Sequence, residues 1–196
     1  MGSRNFTRER IAHLAARLIA QDGVDDYGTA KRKAARQAGV PEARDLPNND
    51  EIDVAIISYR ALYQTEYPAQ LREMRRLALE LMNEFSPFTP YLTGAVLSGH
   101  AALTAGIHLQ LYTDDVKAVA HELLNRGIGY RSSETLLYAG AMQITSPTLS
   151  YTRDDCEVHL TVLSTRELRM QLTGSIGGRP ILHAKREAVA ALLVEQ

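Results

Sequence analysis

Cysteine is nearly absent from this chain, charge of either sign is almost balanced, and no long apolar run occurs. Each shortage removes a class of protein. Cys156 is the one cysteine in 196 residues, which leaves no partner for an internal disulfide and fits a reducing compartment. The formal net charge is −1, so no global field draws the chain to nucleic acid or to an anionic membrane. No stretch approaches the roughly 18 consecutive apolar residues of a membrane span. The opening MGSRNFTRERIAHLAARLIAQDG has neither the unbroken apolar core nor the cleavage pattern of a secretory leader. No G-K-[ST] tripeptide closes a phosphate-cradling P-loop, and no G-x-S-x-G elbow exposes a nucleophilic serine. A cytoplasmic protein with no membrane contact is the expectation.

What is present is an ordinary globular composition, 45% apolar and 23% charged, arranged as a helical front and a mixed back. Ile11, Leu14, Ala15, Leu18 and Ile19 recur at helical spacing before Gly23. An alanine-rich helix follows over 29–38, with Thr29 as its N-cap and Gly39 and Pro41 as its stop. Its Lys31, Arg32, Lys33 and Arg36 oppose a small face of Ala30, Ala34, Ala35 and Ala38. After a polar linker over 41–47, Asn48 opens a third helix with Glu51 placed for a capping box. Ile52, Ala55, Ile56, Tyr59, Leu62 and Tyr63 form its expected buried stripe. Pro68 suits the first turn of a fourth helix. There Leu71, Met74, Leu77, Ala78, Leu81 and Phe85 face inward and Arg72, Arg75 and Arg76 face away.

Beyond Ser86 and Pro87 the period changes. Ile107, Leu109 and Leu111 alternate with His108, Gln110 and Tyr112, the pattern of a half-buried strand. A helix capped by Asp114 or Asp115 ends at Gly127. Short strands are expected over 129–130, 136–144 and 149–151, and a longer one over 156–163, where Val158, Leu160 and Val162 oppose Glu157, His159 and Thr161. A short helix from Ser164 or Thr165, a loop over 173–180 and a final helix over 183–194 complete an α+β chain. N-terminal helices form a subdomain over 1–66, and a mixed β-sheet with flanking helices occupies 67–196.

The segment Gly94-Ala95-Val96-Leu97-Ser98-Gly99, followed by Gly106-Ile107-His108-Leu109, resembles the glycine turn and metal-binding strand of the DNA polymerase beta-like nucleotidyltransferase superfamily. The resemblance covers roughly 68–170 and rests on element order as much as on the turn. It implies a nucleotidyltransferase-like sheet. In the family the turn approaches a triphosphate, and two acids on the next strand, with a third on a neighbour, hold two Mg²⁺ ions. Carried over by residue, Gly94 and Gly99 match the turn, Ala95 stands for a phosphate-contacting serine, Gly106 replaces the first acid and His108 the second. The third falls near Glu157 or His159. Without carboxylates Mg²⁺ has no anchor, because imidazole suits softer metals. The chain also resembles a group of small proteobacterial proteins with a KRKAARQ segment, here over 31–37, and an N-N-D-E-I helix start, here over 48–52. Such sequences have been labelled UDP-N-acetylmuramate–alanine ligase. The missing P-loop argues against that activity.

Three functional expectations follow. In the first, the degenerate site binds a nucleotide or phosphate ligand through Gly94, Ala95, Ser98 and Gly99, with His108 and His159 as its floor, or the protein binds a protein partner. In the second, His108, Glu157 and His159 gather round a Zn²⁺-like ion and support nucleotidyl transfer or phosphoester chemistry. His100, in the turn, could also reach an anion. In the third, Lys31, Arg32, Lys33 and Arg36 meet DNA phosphates, as at the front of tetracycline-repressor-type domains. Against this, the PEARDLPNND that follows cannot serve as a recognition helix and its acids repel the backbone. Cys156 shares the strand face of Val158 and Leu160 and reads as a structural thiol.

Overall fold

The computed structural model describes residues 2–24, 27–40, 46–99 and 106–194. Among them are seven α-helices and a six-stranded mixed sheet, with the helices leading. The chain divides into two compact units, one drawn from 1–71 with Gly99, the other from 72–98 and 106–194. Among the described residues no helix is long and apolar enough to cross a membrane.

The first unit is built from α1 (Gly2–Ala20), α2 (Tyr27–Gln37) and α3 (Asn49–Tyr63). Its core joins Ile11, Ala15 and Ile19 to Ala30, Ala34 and Ala35 of α2 and to Ile52 and Ile56 of α3. The small alanine face allows close helix approach, which is why so basic a helix can still be buried along one side. That helix starts at Tyr27, so Thr29 lies within its first turn and is not the cap. Asn48 and Glu51 form the expected capping box, with Glu51 N–H donating to Asn48 Oδ1 at 2.8 Å and Asn48 N–H to Glu51 Oε2 at 2.6 Å. Arg8 clamps the same carboxylate with two bonds of 2.7 Å, which locks α1 to the start of α3 and holds the Glu51 carboxyl below its ordinary range.

The outer half of α3 departs from expectation. Leu62 and Tyr63 are 73% and 71% exposed, while Arg60 is buried. Counted from Ile52, the helical period brings positions 55, 56 and 60 inward, and Arg60 is accepted there because its charge is met. It donates to the Gly99 carbonyl at 2.8 Å and lies 3.7 Å from the centre of the Tyr67 ring.

In the second unit α4 (Tyr67–Glu84, from Arg72 onward) buries Ala78, Leu81, Met82 and, just past its end, Phe85. Arg75 does not face away as Arg76 does, and Arg72 is half-buried. Arg75 is buried, with Nε 3.2 Å from the Val96 carbonyl and Nη2 3.4 Å from that of Leu97. These carbonyls lie in the last turn of α5 (Gly94–Ser98), where carbonyls lack intrahelical donors. Arg75→Met should therefore cost about 2 kcal/mol, about one for each orphaned acceptor. Thermal denaturation checks this against Arg76→Met, an exposed change that should stay within about 0.5 kcal/mol of the parent.

The sheet runs β3 (Arg131–Ala139), β4 (Met142–Arg153), β5 (Cys156–Leu163), β2 (Ile107–Tyr112), β1 (Pro90–Thr93), β6 (His183–Ala184). Among the described strands only β2 and β5 pair in parallel. The expected short strands over 129–130, 136–144 and 149–151 are one long hairpin, β3–β4. Pro147 hid its continuity. It is tolerated because β5 reaches β4 only as far as Thr148, so Pro147 has a neighbour on one side alone. Asp154 and Asp155, both at positive φ, make the tight turn into β5. Likewise, the final helix is shorter than expected: α7 covers Arg186–Val194, and His183 joins an edge strand.

Register divides the sheet into two chemically distinct faces. Leu92, Leu109, Leu160 and Leu149 stand in one row across four strands, with Ile107 beside Val158 and Leu111 beside Val162. Helix α6 (Val116–Asn125), capped by Asp115, contacts β5 and buries Val119 and Leu123. The opposite face is largely polar. β2 is interior to the sheet, and its Gln110 and Tyr112 are buried, so this strand is covered on both sides and not half-buried.

Candidate functional site

One row of the polar face crosses every strand: Arg131, Ser150, His159, His108, Thr93 and His183 are successive partners from β3 to β6. Side chains at paired positions share a face, so alternation along each strand and register between strands suffice to assemble the row. Alongside it, the hydroxyls of Thr135, Thr148 and Thr161 form a chain of 2.6 and 3.1 Å contacts, and Tyr112 donates to Gln110 at 2.9 Å. Farther along the same face, Leu168, Met170 and Leu172 cover Tyr91, Tyr112, Leu137 and Ile144. His108 and His159 lie at the polar end of this face.

The two imidazoles stack, with centres 4.4 Å apart and planes 17° from parallel. His159 Nδ1 is 2.9 Å from Ser150 Oγ, and its Nε2 is 3.7 Å from Glu157 Oε2. Glu157 also pairs with Arg131. Burial drives the His108 pKa down to about 4, the neighbouring His159 adds to the drop, and Glu157 opposes it. His108 is thus neutral at pH 7 and can both donate and accept a hydrogen bond.

The glycines beside this pair have distinct physical roles. Gly94 has φ +74°, and a Cβ there would sit 3.6–3.8 Å from the His108 side chain, so the start of α5 lies against that ring. Gly106 is more constrained. A Cβ at this position would stand 2.7 Å from the Glu157 carbonyl oxygen and 2.9 Å from the His159 ring. The position equated with the first family acid is therefore one where a side chain does not fit.

The structure brings together His108, His159 and Glu157, as the sequence suggested, with Gly94 against His108. It does not arrange them as metal ligands. Imidazole lone pairs lie in the ring plane, so two rings stacked nearly parallel direct them side by side and not toward one ion. Among the described residues no group of three His, Cys, Asp or Glu side chains is placed to hold a metal. Ala95 is half-buried and Ser98 is exposed, its hydroxyl 3.3 Å from the Ala95 carbonyl. Gly99 falls in the first unit, where its carbonyl accepts from Arg60 and from Tyr67 Oη at 2.6 Å. His100 lies outside the described residues.

The basic residues of α2 belong to the first unit. Lys31 donates to Asn49 at 2.7 Å and Arg32 to Thr29 at 3.0 Å, while Lys33 and Arg36 are exposed. The half-buried Cys156 thiol is raised above its usual pKa by burial, the state of a poor nucleophile.

Sequence reasoning missed Arg131, Ser150, Thr93 and His183. The alternation of Thr148, Ser150 and Thr152 with Leu149 and Tyr151 was a usable signal for the hydroxyl-bearing face. Nothing local indicated which residues would stand opposite. Comparison with protein-family models, with curated proteins and with solved structures returned no significant match to this chain.

Proposed function

We propose that the second unit is a nucleotidyltransferase-like module that binds a nucleotide or phosphate-bearing ligand on its polar sheet face without performing two-metal transfer. The observation that carries this reading is the stacked His108–His159 pair, with a neutral His108 lying against Gly94, where the family resemblance would put metal-binding acids. Its support in the fold is the order α4, β1, α5, β2, α6 and a later strand, β5, beside β2. In this reading Gly94 and Ala95 offer backbone amides and Ser98 a hydroxyl to phosphate oxygens. His108 and His159 supply a flat, hydrogen-bonding floor, and Arg131 a cation at its edge. Glu157, the carboxylate beside His159, is already committed to Arg131, and the described residues offer no cage of hard oxygen ligands for Mg²⁺.

Thermal denaturation with a panel of nucleotides and inorganic phosphate, each with and without Mg²⁺ or Zn²⁺, tests this. A ligand at ten times its Kd should stabilise by about 1.4 kcal/mol and raise Tm by about 3–6 °C. The rise should persist without divalent metal and disappear in His108→Ala. Stabilisation that strictly requires a metal would instead favour transfer chemistry at His108, Glu157 and His159. A flat response to the whole panel would sink the ligand-binding reading.

A further inference from the structure

Ser150, His159 and Glu157 form a chain across the β4–β5 pair, with the imidazole between a hydroxyl and a carboxylate. Register puts Ser150 directly opposite His159, and Glu157 shares the His159 face two residues earlier on β5. Ser150 Oγ is 2.9 Å from His159 Nδ1, and Glu157 Oε2 is 3.7 Å from His159 Nε2. With the ring proton on Nε2, toward the carboxylate, Nδ1 is the acceptor for the Ser150 hydroxyl. A serine bonded to a histidine on a neighbouring strand is by itself ordinary. Two further features suit this histidine to act as a base.

The first is the division of the Glu157 carboxylate. Arg131 takes Oε1 and leaves Oε2 directed at the imidazole, so the carboxylate is held in place from a third strand. A separation of 3.7 Å is an ion-pair distance, and catalytic contacts of this kind commonly shorten to hydrogen bonds once substrate is bound. The second is the room made at Gly106. A Cβ there would stand 2.9 Å from both Cδ2 and Nε2 of His159, so the ring fills the space that a side chain would take. Ser150 is 8% exposed and the His159 side chain 22%, which shields the hydroxyl from bulk water while leaving its base within reach of small molecules. His108, stacked on the same ring, is neutral and so puts no second positive charge beside an imidazolium.

We propose that Ser150, activated by His159 with Glu157 as its positioning residue, is the nucleophile of a carboxylic-ester hydrolase. Ser150 Oγ attacks the carbonyl carbon, its proton passes to His159 Nδ1, and the C=O electron pair moves to oxygen. Collapse breaks the bond to the alcohol oxygen, which leaves with the proton from Nδ1, and the acyl group stays on Ser150. Water then attacks the acyl carbon and gives its proton to Nδ1. Ser150 Oγ leaves with that proton, and the free acid is released. An acyl carbon suits these groups better than phosphorus. A single charge develops on the carbonyl oxygen, which an uncharged donor such as His108 can meet. A phosphoryl group brings charges that Arg131, paired with Glu157, is less free to offset. Such a constellation is recognised by geometry and not by chain order, so it needs no G-x-S-x-G elbow. Its nucleophile takes no part in phosphate-ligand binding, so either reading can fail alone.

The test treats the full chain with p-nitrophenyl acetate and, separately, with a fluorophosphonate probe. A burst of about one nitrophenolate per chain should precede slower turnover, and peptide mapping should place the acetyl or phosphonyl group on Ser150. Ser150→Ala should abolish both. His159→Gln should slow acylation about a hundredfold or more. Glu157→Gln should slow it about tenfold or more with KM unchanged, because it acts through the orientation of His159 and not on the ester. Circular dichroism checks that each variant is folded, and the mapping on the parent is decisive even where a variant is not. A parent that shows neither burst nor adduct, or an adduct on any residue other than Ser150, would overturn the proposal. So would labelling that survives in Ser150→Ala or is indifferent to His159→Gln. The nucleotide panel reads Tm and not labelling, so failure of the ligand reading is seen separately.

Discussion

Acidification from pH 6.5 to about 4 is expected to remove about 3 kcal/mol of folding stability through His108 alone. The sign follows from which state takes up the proton. In the unfolded chain the imidazole titrates near its ordinary value of 6.5, whereas in the folded protein burial and His159 hold it near 4. Between these values the unfolded state binds the extra proton, so stability is full above about 6.5 and falls as pH drops toward about 4. The steepest slope is about 1.4 kcal/mol per pH unit for one proton. Carboxylates held low in the fold, such as those of Glu51 and Asp114, lose their contribution below their ordinary values of 4.5 and 3.8. They therefore leave the upper part of the window to histidine. Chemical denaturation of the parent and of His108→Gln across this range measures the effect. The variant should lack roughly one proton's worth of pH dependence. Equal slopes in both proteins would show that His108 is not held neutral by the fold.

The second large effect is expected at Gly106. Placing an acid there with Gly106→Asp should destabilise the protein by about 3 kcal/mol or more, a Tm loss of about 6–12 °C. A Cβ 2.7 Å from the Glu157 carbonyl must push β2 away from β5 or distort the start of the strand, since backbone cannot swing aside like a side chain. A carboxylate then adds a charge facing a carbonyl oxygen. Gly106→Ala isolates the steric part and should cost about 1–3 kcal/mol. An alanine variant as stable as the parent would show that the β2–β5 approach is looser than the geometry implies. In the same experiment, added Mg²⁺ should not stabilise Gly106→Asp, because Arg131 already holds the nearest other carboxylate. The difference from a metal-binding strand is then built into strand spacing as well as into residue identity.

Much of the local structure was legible in the chain because its causes are local. The Asn48–Glu51 capping box, the Asp115 cap of α6, the alanine face of α2 and the span of β5 each follow from residues within a turn or two of one another. The misreadings have a common origin in neighbours distant in sequence. Arg75 was assigned to solvent because charge usually belongs there. It is buried because α5, some twenty residues on, presents carbonyls that need a donor. Leu62 and Tyr63 were assigned to the core on apolar character, yet the inward arc of α3 falls on Ile52, Ile56 and Arg60. Pro147 interrupts a strand pattern that the sheet keeps whole, because β4 needs a donor there only if its pairing with β5 extends past Thr148, which it does not.

The candidate site divides along the same line. From the sequence alone came an α+β chain with leading helices, the alternation that sets His108 and His159 each on the polar side of its strand, and the absence of paired acids after the glycine turn. Those conclusions need only side-chain period and residue chemistry. Tertiary structure decided the parallel register that sets one imidazole over the other, the burial that keeps His108 neutral, and the commitment of Glu157 to Arg131. It also decided that Gly106 has no room for a side chain. Pairing across a sheet joins residues some fifty positions apart, and no local pattern in the chain encodes which of them will meet.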